Sequence, residues 1–404
     1  MEKTELVLPA GNLEKLKYAF LYGADAAYCG LPDFSIRNRS TQFTLKDLET
    51  GINFAHKIGK KVYITINTYP RNKDLQKLES YLKKLKKLKP DAIILSDAGA
   101  LNLVKKYLPK IKIHLSTQAN TVNVEAVKFW QKQGISRIIL ARELSLSEIS
   151  EIKKKCPKIE LEVFVHGAMC ISYSGRCLLS MYMTERDANS GECTQPCRWK
   201  YKVLEEEKRP NEFWSISEDK NGTYIMNSKD LCLADWLPQL KKAGVSAFKI
   251  EGRAKSIYYL AIVAKTYREA IKNINAKNYK SLAKNFRKEL EKTHHRKFTQ
   301  GFITGKLKDA QEYKTSRPES DWEFCGVVER FDGKTNIAQI RVRNRILPNT
   351  ELEFITPSNQ FKLKVKKLIN LDNKELKAAH VDNRIKIKLP QKAEVLSVLR
   401  QKIQ

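Results

Sequence analysis

The sequence predicts an α/β protein: a (β/α)8 TIM-like barrel with a cysteine-rich insertion, followed by a small antiparallel β-barrel. Eight short apolar strands precede residue 251, with amphipathic helical patterns between most of them. A long cysteine-bearing segment interrupts this alternation before the eighth strand, and from Trp322 onward short strands alternate apolar and polar residues. We therefore assign residues 1–275 to the barrel with its insertion at about 167–245, residues 276–320 to a basic helical linker, and residues 321–404 to the C-terminal β-barrel.

Strands that are apolar on both faces and joined by helices pair in parallel, and eight such units close most naturally into a barrel. A doubly wound open sheet is the alternative, but the sequence has no glycine-rich phosphate fingerprint to support it. The predicted strands are Glu5–Leu8, Ala26–Cys29, Val62–Ile66, Ala92–Leu95, Ile111–Leu115, Arg137–Leu140, Leu161–Val165 and Ala247–Ile250.

Amphipathic periodicity and the glycines that follow several periodic segments locate the helices of the barrel. In this interpretation Cys232 lies on the first turn of a helix. The predicted helices are Asn12–Tyr22, Leu45–Ile58, Asp74–Leu88, Val124–Gln133, Leu146–Lys155 and Asp230–Lys242, and Ser256–Ile274 continues as a further helix after the eighth strand.

The C-terminal region carries alternating segments separated by turn signals such as Asp332-Gly333. Lys362, Lys364 and Lys366 alternate with apolar residues, which places their charge on one face of a strand. From Trp322 onward there are 17 Lys and Arg against 9 Asp and Glu, so one basic face suited to nucleic acid is expected, with ordinary solubility as the alternative. The predicted strands cover residues 324–330, 336–343, 351–355, 361–367 and 384–389.

Composition indicates a soluble protein with an ample core. The chain has 404 residues, of which 42% are hydrophobic, and no apolar run approaches the roughly 20 residues that span a bilayer. The first residues lead directly into a strand, without the apolar core and cleavage site of a signal peptide. We therefore expect a cytoplasmic location and no membrane partner.

The chain is strongly basic, with 75 Lys and Arg against 45 Asp and Glu and a net charge of +30. Such a balance is the electrostatic footprint of a nucleic-acid partner, although a lysine-rich proteome produces a similar excess. The excess is concentrated between Lys265 and Lys297 and in the region after Trp322.

Five of the eight cysteines fall between residues 170 and 232, and four of them lie in loop-like sequence. In a reducing compartment such clusters ligate metal more often than they form disulfides. The gaps are wide and uneven, which favours an iron–sulfur cluster over structural zinc or unligated buried thiols. The predicted ligands are Cys170, Cys177, Cys193 and Cys232, with Cys197 as the alternative fourth ligand.

Polar residues follow most of the predicted strands at the carboxyl-terminal end, where barrels carry their chemistry. Helix capping, or an ion pair with Glu143 or Glu251, is the alternative explanation for any one of them, but their convergence on one mouth is harder to explain by capping. The residues that we expect at this mouth are Asn67, Ser116, Gln118, Asn120, Arg142, His166, Glu251, Arg253 and Lys255.

Several motifs resemble those of the collagenase-like peptidase family U32 over nearly the whole chain. They include His166-Gly-Ala-Met-Cys170, Ser174-Gly-Arg-Cys177, Lys249-Ile-Glu251-Gly-Arg253, Leu8-Pro-Ala-Gly11 and His114-Leu-Ser-Thr-Gln118-Ala-Asn120. Within the family the resemblance is closest to the bacterial branch that hydroxylates tRNA.

This resemblance implies a [4Fe-4S] cluster and hydroxylation of the wobble uridine to 5-hydroxyuridine with prephenate as a co-substrate. The implied partners are the tRNA anticodon loop and a small dicarboxylate, and not DNA. For such a reaction His166, Glu251 and Arg253 are our candidates for proton handling and anion binding. Asn67, Ser116, Gln118, Asn120, Arg142 and Lys255 are candidates for contacts to the substrates.

Three alternatives remain at this point. The family name implies a protease, but proteolysis needs an activated nucleophile or a metal-bound water, and a cysteine committed to iron is not a free nucleophile. A cluster-bearing RNA-binding scaffold without catalysis is a second alternative, and hydroxylation of ribosomal RNA is a third.

Overall fold

The computed structural model describes residues 4–35, 43–170, 172–173, 177, 179–186, 193–198, 217–219, 222–224, 228–305 and 320–403. Arg37, Arg39 and Arg176, which the sequence offers as further basic loop residues, lie outside the described residues. Among the described residues, no helix has the length and the apolar run that crossing a membrane requires.

The N-terminal part is a closed barrel of eight parallel strands, which confirms the predicted fold class. Strands β1 to β7 pair in sequence order, and the eighth barrel strand, β11, pairs in parallel with both β1 and β7 and so closes the cylinder. The eight strands are β1 (Glu5–Pro9), β2 (Ala26–Cys29), β3 (Lys61–Ile66), β4 (Ala92–Leu95), β5 (Lys112–Leu115), β6 (Arg137–Ile139), β7 (Glu160–Ala168) and β11 (Ala247–Ile250).

Helices alternate with these strands, and their boundaries follow local capping chemistry. Helix α6, for example, begins after Ser145, whose side chain accepts from the Glu148 backbone while the Glu148 carboxylate accepts from the Ser145 backbone. The helices are α1 (Leu13–Leu21), α2 (Leu45–Lys57), α3 (Leu75–Leu88), α4 (Ala98–Tyr107), α5 (Val124–Lys132), α6 (Leu146–Lys155), α7 (Leu179–Thr184), α8 (Leu237–Lys242), α9 (Ile257–Lys272) and α10 (Tyr279–Leu290).

The predicted helix Asp230–Lys242 is wrong in its first half. Asp230–Cys232 forms strand β10, which pairs antiparallel with β7 so that Cys232 lies opposite His166. Helix α8 begins only at Leu237 and has Pro238 in its first turn, where a missing amide hydrogen is harmless. The pairing of Asp230–Cys232 with β7 therefore outweighs the helical periodicity of the residues before Pro238.

Three shorter strands belong to the same region. Strands β8 (Ser217–Asp219) and β9 (Gly222–Tyr224) form a two-stranded antiparallel sheet in the insertion. Strand β12 (Phe298–Thr299) extends the barrel sheet beyond β10, with which it pairs in parallel. Residues after β7 are thus tied back to the barrel wall through β10.

Helix α10 lies within the span that the sequence assigns to a linker. It packs along α9 and buries Tyr279, Ala283, Phe286 and Leu290 while its other face is polar. The Tyr258 hydroxyl at the start of α9 donates a hydrogen bond of 2.9 Å to the Lys292 carbonyl just after α10. The end of α10 therefore lies beside the beginning of α9, and the two helices are antiparallel.

The C-terminal part is an eight-stranded antiparallel sheet that curves into a half-barrel, which agrees with the predicted antiparallel domain. The spatial order is β16-β15-β20-β13-β14-β19-β17-β18. Three strands were not predicted, and one of them, β20, is central. The strands are β13 (Trp322–Asp332), β14 (Ile337–Val342), β15 (Thr350–Ile355), β16 (Gln360–Val365), β17 (Leu368–Asn370), β18 (Glu375–Leu376), β19 (Arg384–Lys388) and β20 (Val398–Lys402).

The sheet is joined to the barrel by packing and by specific hydrogen bonds. Val327, Ile355 and Val398 are buried in the same apolar cluster as the barrel helices. The Tyr22 hydroxyl donates to the Ile355 carbonyl at 2.8 Å, and Arg400 on β20, fully buried, pairs with Glu289 of α10 at 2.7 Å. The sheet therefore has a core of its own and packs against the barrel core through these residues.

Candidate active site at the barrel mouth

A pocket opens at the carboxyl-terminal ends of the barrel strands and contains about 520 Å³ of empty space, part of it continuous with solvent. Six of the nine polar residues predicted for the mouth line it. The complete lining is Tyr28, Thr65, Asn67, Ile94, Ser116, Thr117, Gln118, Ile139, Arg142, Phe164, Lys249, Glu251 and Arg253.

Two donors in the pocket wall lack hydrogen-bond partners among the described residues, namely Arg142 Nε and Gln118 Nε2. Arg142 is held in place by a 2.6 Å hydrogen bond from Nη1 to the Ala168 carbonyl and by its guanidinium lying 4.2 Å from the Phe164 ring centre. The side-chain oxygen of Gln118, Oε1, accepts from the Ser116 hydroxyl at 3.2 Å, which orients the side-chain amide. Because buried donors without acceptors are costly, both atoms suit an acceptor supplied by a ligand.

Arg253 adds a second guanidinium that is almost fully buried. It donates to the hydroxyl of Ser35 and, at 3.4 Å, to that of Thr65, and its guanidinium carbon lies 5.3 Å from the centre of the Tyr28 ring. Thr65 in turn donates to the Cys29 carbonyl at 3.1 Å. These contacts hold the guanidinium at the pocket wall, where its positive charge favours an anionic ligand.

Lys249 lines the pocket from below and belongs to a buried chain of charges. Its ammonium donates to Glu162 at 2.6 Å, and the other Glu162 oxygen accepts from Arg137 at 3.0 Å. Arg137 also pairs with Glu5 at 2.5 Å. Burial lowers the pKa of Lys249, although Glu162 opposes that effect. The alternation of signs allows these charges to remain inside the barrel.

The backbone at Glu251 is fixed by its neighbours on β7. The Glu251 amide donates to the His166 carbonyl at 2.8 Å, and its own carbonyl accepts from the Tyr259 hydroxyl at 2.9 Å. Gly167 has a φ of +111°, and a Cβ there would lie 2.6 Å from the Glu251 carbonyl oxygen. Only glycine permits this close approach, which sets where Glu251 enters the pocket.

His166 lies outside the mouth pocket, behind the barrel wall. It is 1% exposed, its Nδ1 is 3.3 Å from the Tyr267 hydroxyl, and the Phe298 ring centre is 5.4 Å away. Burial lowers the pKa of His166 to about 3, so the ring is neutral at physiological pH. The arrangement is that of a buried, hydrogen-bonded histidine.

Two further predicted residues also fall outside the pocket lining. Lys255 has its ammonium 3.9 Å from Asp230 and donates to the His294 carbonyl at 3.1 Å. Asn120 has a left-handed backbone with φ of 50°, and its side-chain amide donates to the Gln118 carbonyl at 3.1 Å. The structure places Asn120 as a support of the Gln118 turn.

Seven pocket residues are not among the nine predicted for the mouth: Tyr28, Thr65, Ile94, Thr117, Ile139, Phe164 and Lys249. A signal existed for Lys249, because a lysine within the apolar strand Ala247–Ile250 is unusual and it stands two residues before Glu251, on the same side of the strand. Tyr28 and Phe164 carried none, since apolar and aromatic residues are expected in barrel strands.

The predicted cluster ligands occupy different environments. Cys170 is exposed, while Cys177, Cys193 and Cys197 are partly buried. Cys232 is fully buried on β10, with its sulfur 3.9 Å from the Tyr267 hydroxyl, and burial raises its pKa to about 11. Within the described part of the chain, no three His, Cys, Asp or Glu side chains are grouped as a site for a single metal ion.

The segment that follows β7 contains four cysteines and strand β10 contains a fifth, and cysteine is the residue type that ligates iron–sulfur clusters. This segment is linked to the mouth pocket. The Ala168 carbonyl that receives the Arg142 hydrogen bond precedes Cys170 by two residues.

A TIM-like barrel with basic groups at its mouth, a cysteine-rich segment after the seventh strand and an antiparallel C-terminal sheet defines the class to which this protein belongs. The chain is a member of peptidase family U32: residues 11–313 match the description "Peptidase family U32" and residues 320–400 match "Peptidase family U32 C-terminal domain". The family resemblance read from the motifs is thus confirmed.

Similar proteins have names that refer to RNA hydroxylation. The chain is 40% identical to "tRNA hydroxylation protein P" of Haemophilus influenzae over 93% of this chain and 91% of that protein. It is 36% identical to "tRNA hydroxylation protein P1" of Bacillus subtilis over 99% and 95%. It is also 34% identical to "23S rRNA 5-hydroxycytidine C2501 synthase" of Escherichia coli, over 76% of this chain and 46% of that protein.

Proposed function

We propose that this protein is an RNA-modifying enzyme of the cytoplasm that hydroxylates the wobble uridine of tRNA to 5-hydroxyuridine. Prephenate, a dicarboxylate, is the proposed co-substrate, and a [4Fe-4S] cluster is the proposed cofactor. Relatives of nearly equal length that are named for tRNA hydroxylation support the tRNA substrate. The names support the reaction class, whereas the roles of individual residues rest on the pocket.

The observation that carries the proposal is the set of donors in the mouth pocket. Arg142 Nε and Gln118 Nε2 have no partner among the described residues, and Arg253 and Lys249 add positive charge to the same pocket. A planar carboxylate accepts two parallel hydrogen bonds from a guanidinium and satisfies donors of this kind. A dicarboxylate therefore fits the pocket better than a neutral substrate does.

Each side chain then has a definite task. Arg142, Arg253 and Gln118 bind and orient the anionic co-substrate, and Asn67 and Ser116 shape the wall beside them. Glu251 is the carboxylate in the pocket that holds or accepts a proton. The uridine must leave its stack to reach this pocket, and a single-stranded loop makes that inexpensive.

The cluster is proposed to be held by Cys170, Cys177, Cys193 and Cys232, with Cys197 as the alternative fourth ligand. When bound, it would supply iron chemistry next to the mouth, because the Arg142–Ala168 hydrogen bond ties the pocket to the chain just before Cys170. His166 opposite Cys232 provides a neutral, rigid support on β7.

Nucleoside mass spectrometry of total tRNA and ribosomal RNA from a deletion strain tests the function. We expect loss of 5-hydroxyuridine from tRNA, restored by the wild-type gene and not by an Arg142→Ala variant. An unchanged tRNA profile would reject the proposal, and loss of hydroxycytidine from ribosomal RNA instead would favour the rRNA alternative.

Iron and acid-labile sulfide in anaerobically purified protein test the cofactor. Single Cys→Ser substitutions at the five candidate positions are expected to lower iron content at the four ligands and not at the fifth. Cys156, buried outside the cysteine-rich segment, provides the matched control as Cys156→Ser. Iron-free wild-type protein would refute the cluster.

Proteolysis, which the family name implies, is disfavoured by the geometry around His166. The cysteine opposite this histidine is Cys232, and its buried thiol with a pKa near 11 is the reverse of an activated nucleophile. Cleavage of casein or collagen that survives Cys170→Ala would support the protease alternative.

A further inference from the structure

Three lysines form a stripe on the exposed side of α10. Lys280, Lys284 and Lys288 are spaced four residues apart and are all exposed, whereas the opposite side of the helix is buried against the barrel. Successive lysines therefore rise about 6 Å along the helix axis. We call these three residues the α10 stripe.

The α10 stripe lacks the acidic partners that some lysines on other helices have. None of its lysines has an ion pair with any described residue, whereas Lys128 on α5 pairs with Glu125 at 2.7 Å and Lys155 on α6 pairs with Glu151 at 2.8 Å. Like charges at i and i+4 destabilise a helix by about 0.2–0.5 kcal/mol per pair. An external polyanion would reverse this cost.

A second row of lysines lies on β16 of the C-terminal sheet and ends at Lys366, the residue that follows the strand. Lys362, Lys364 and Lys366 are exposed, and the residues between them face the interior of the sheet. Lys362 pairs with Glu351 at 2.7 Å, so Lys364 and Lys366 carry the surplus charge. We call these three residues the β16 row.

Helix α10 and the strands next to β16 are in contact at the junction between the barrel and the sheet. Glu353, which pairs in register with Lys362, accepts from Arg400 at 2.8 Å and lies 3.7 Å from Lys292 just after α10. Arg400 also pairs with Glu289 in the last turn of α10. The end of α10 therefore lies against β15, the strand that pairs with β16.

The stripe also leads toward the barrel mouth. Helix α9 begins shortly after β11 reaches the mouth, and α10 returns antiparallel to it, as the Tyr258–Lys292 hydrogen bond shows. Beyond α10, the His294 carbonyl accepts from Lys255, two residues after Arg253 of the pocket. Lys288 is thus the stripe residue nearest to the mouth, and Lys280 the most distant.

We propose that the α10 stripe and the β16 row together form a docking surface for the phosphate backbone of a helical RNA stem whose loop enters the barrel mouth. This inference rests on the proposed function, because it concerns the same RNA substrate. Evenly spaced ammonium groups without acidic partners contact phosphates without reading sequence. The mouth then selects the nucleotide, while the docking surface supplies most of the affinity.

Binding of fluorescently labelled RNA at several salt concentrations tests the docking surface. The probes are unfractionated tRNA, a hairpin with an anticodon stem and loop, and the loop sequence as a linear oligonucleotide. Replacing all three stripe residues by glutamine, as Lys280→Gln, Lys284→Gln and Lys288→Gln, should weaken tRNA binding about 10-fold and reduce the salt slope by about 2–3. Binding of the linear loop should change little.

Helix α3 offers the matched control, because Lys84, Lys86 and Lys87 are exposed on a helix between β3 and β4, on the other side of the barrel. Replacing them by glutamine removes the same charge and should leave the salt slope near that of wild type. The pair Lys364→Gln and Lys366→Gln in the β16 row should weaken tRNA binding as the stripe variant does. Thermal unfolding confirms that each variant is folded.

Equal effects of the stripe and α3 variants would overturn the docking surface, as would wild-type protein that does not bind tRNA. Stripe-dependent binding to phosphatidylserine vesicles without any effect on tRNA would assign the surface to a membrane instead. The binding assay does not depend on turnover, so it tests the docking surface separately from the proposed reaction. Normal hydroxyuridine in a deletion strain would reject the reaction, whereas stripe-dependent tRNA binding would still support the docking surface.

Discussion

Glu162 is the residue whose replacement most directly tests the buried charge chain beneath the pocket. It has 0% exposure and lies between Lys249 at 2.6 Å and Arg137 at 3.0 Å. Glu162→Gln leaves the shape almost unchanged but removes the carboxylate that pairs with Lys249 and one of the three that pair with Arg137. Breaking a buried pair in this way costs about 3–5 kcal/mol.

The chain supplies its own control for this substitution. Glu160 contacts the same Arg137 at 2.6 Å but its side chain is 44% exposed, so Glu160→Gln should cost no more than about 1 kcal/mol. At roughly 2 °C per kcal/mol, thermal unfolding should show a loss of about 6–10 °C for Glu162→Gln and about 2 °C or less for Glu160→Gln.

A double variant sharpens the test. In Glu162→Gln, Arg137 still pairs with Glu5 and Glu160, whereas Lys249 loses its ion pair with Glu162. Adding Lys249→Met removes that buried cation, so the double variant should unfold at a higher temperature than Glu162→Gln alone. If the Tm losses of Glu162→Gln and Lys249→Met simply add in the double variant, alternating charges do not stabilise the barrel interior. Equal Tm losses for Glu160→Gln and Glu162→Gln would refute the same reasoning.

Three other outcomes follow from the site. Arg142→Lys keeps the charge but loses the Nε donor and the hydrogen bond to Ala168, so KM for the anionic co-substrate should rise about 10–100-fold with little change in Tm; an unchanged KM would exclude Arg142 from anion binding. Gly167→Ala places a Cβ against the Glu251 carbonyl at a residue of positive φ, so both activity and Tm should fall. Gly59 is the control: it also has positive φ, but the space around its Cβ position is open, so Gly59→Ala should lower Tm alone. Burial by itself would raise the pKa of Glu5, but Arg137 and Lys61 outweigh burial and hold this pKa below its ordinary value of 4.5. The contribution of Glu5 to stability is therefore present above about pH 4.5 and is lost as the pH falls through the lowered pKa. Tm should consequently decline less steeply on acidification in Glu5→Gln than in wild type.

The succession of elements in the barrel was accessible from the sequence because it depends on local patterns. Apolar runs such as Ala92–Leu95 and capped amphipathic helices such as α6 carry their structure in neighbouring residues. The strand–helix alternation then leaves few ways to bury every apolar face. Element boundaries shifted by only a residue or two where caps were clear.

Local patterns were insufficient where pairing partners are distant in the chain. Asp230–Cys232 has helical periodicity but forms a strand because β7 presents an unpaired edge to it. Strand β20 was likewise missed, although β13 and β15 flank it and its side chains complete the C-terminal core. Both depend on a partner more than 50 residues away in sequence, and no short window contains it.

The sequence by itself determined that polar groups gather at the carboxyl-terminal ends of the strands, because a parallel barrel directs all those ends to one face. Tertiary structure alone decided which of them meet. In the folded chain Arg142, Gln118 and Arg253 line one pocket, whereas His166 is buried outside it. Lys249 also lines the pocket and is held by its ion pair with Glu162. Side-chain direction and burial depend on packing across strands, and for that reason only the folded chain specifies them.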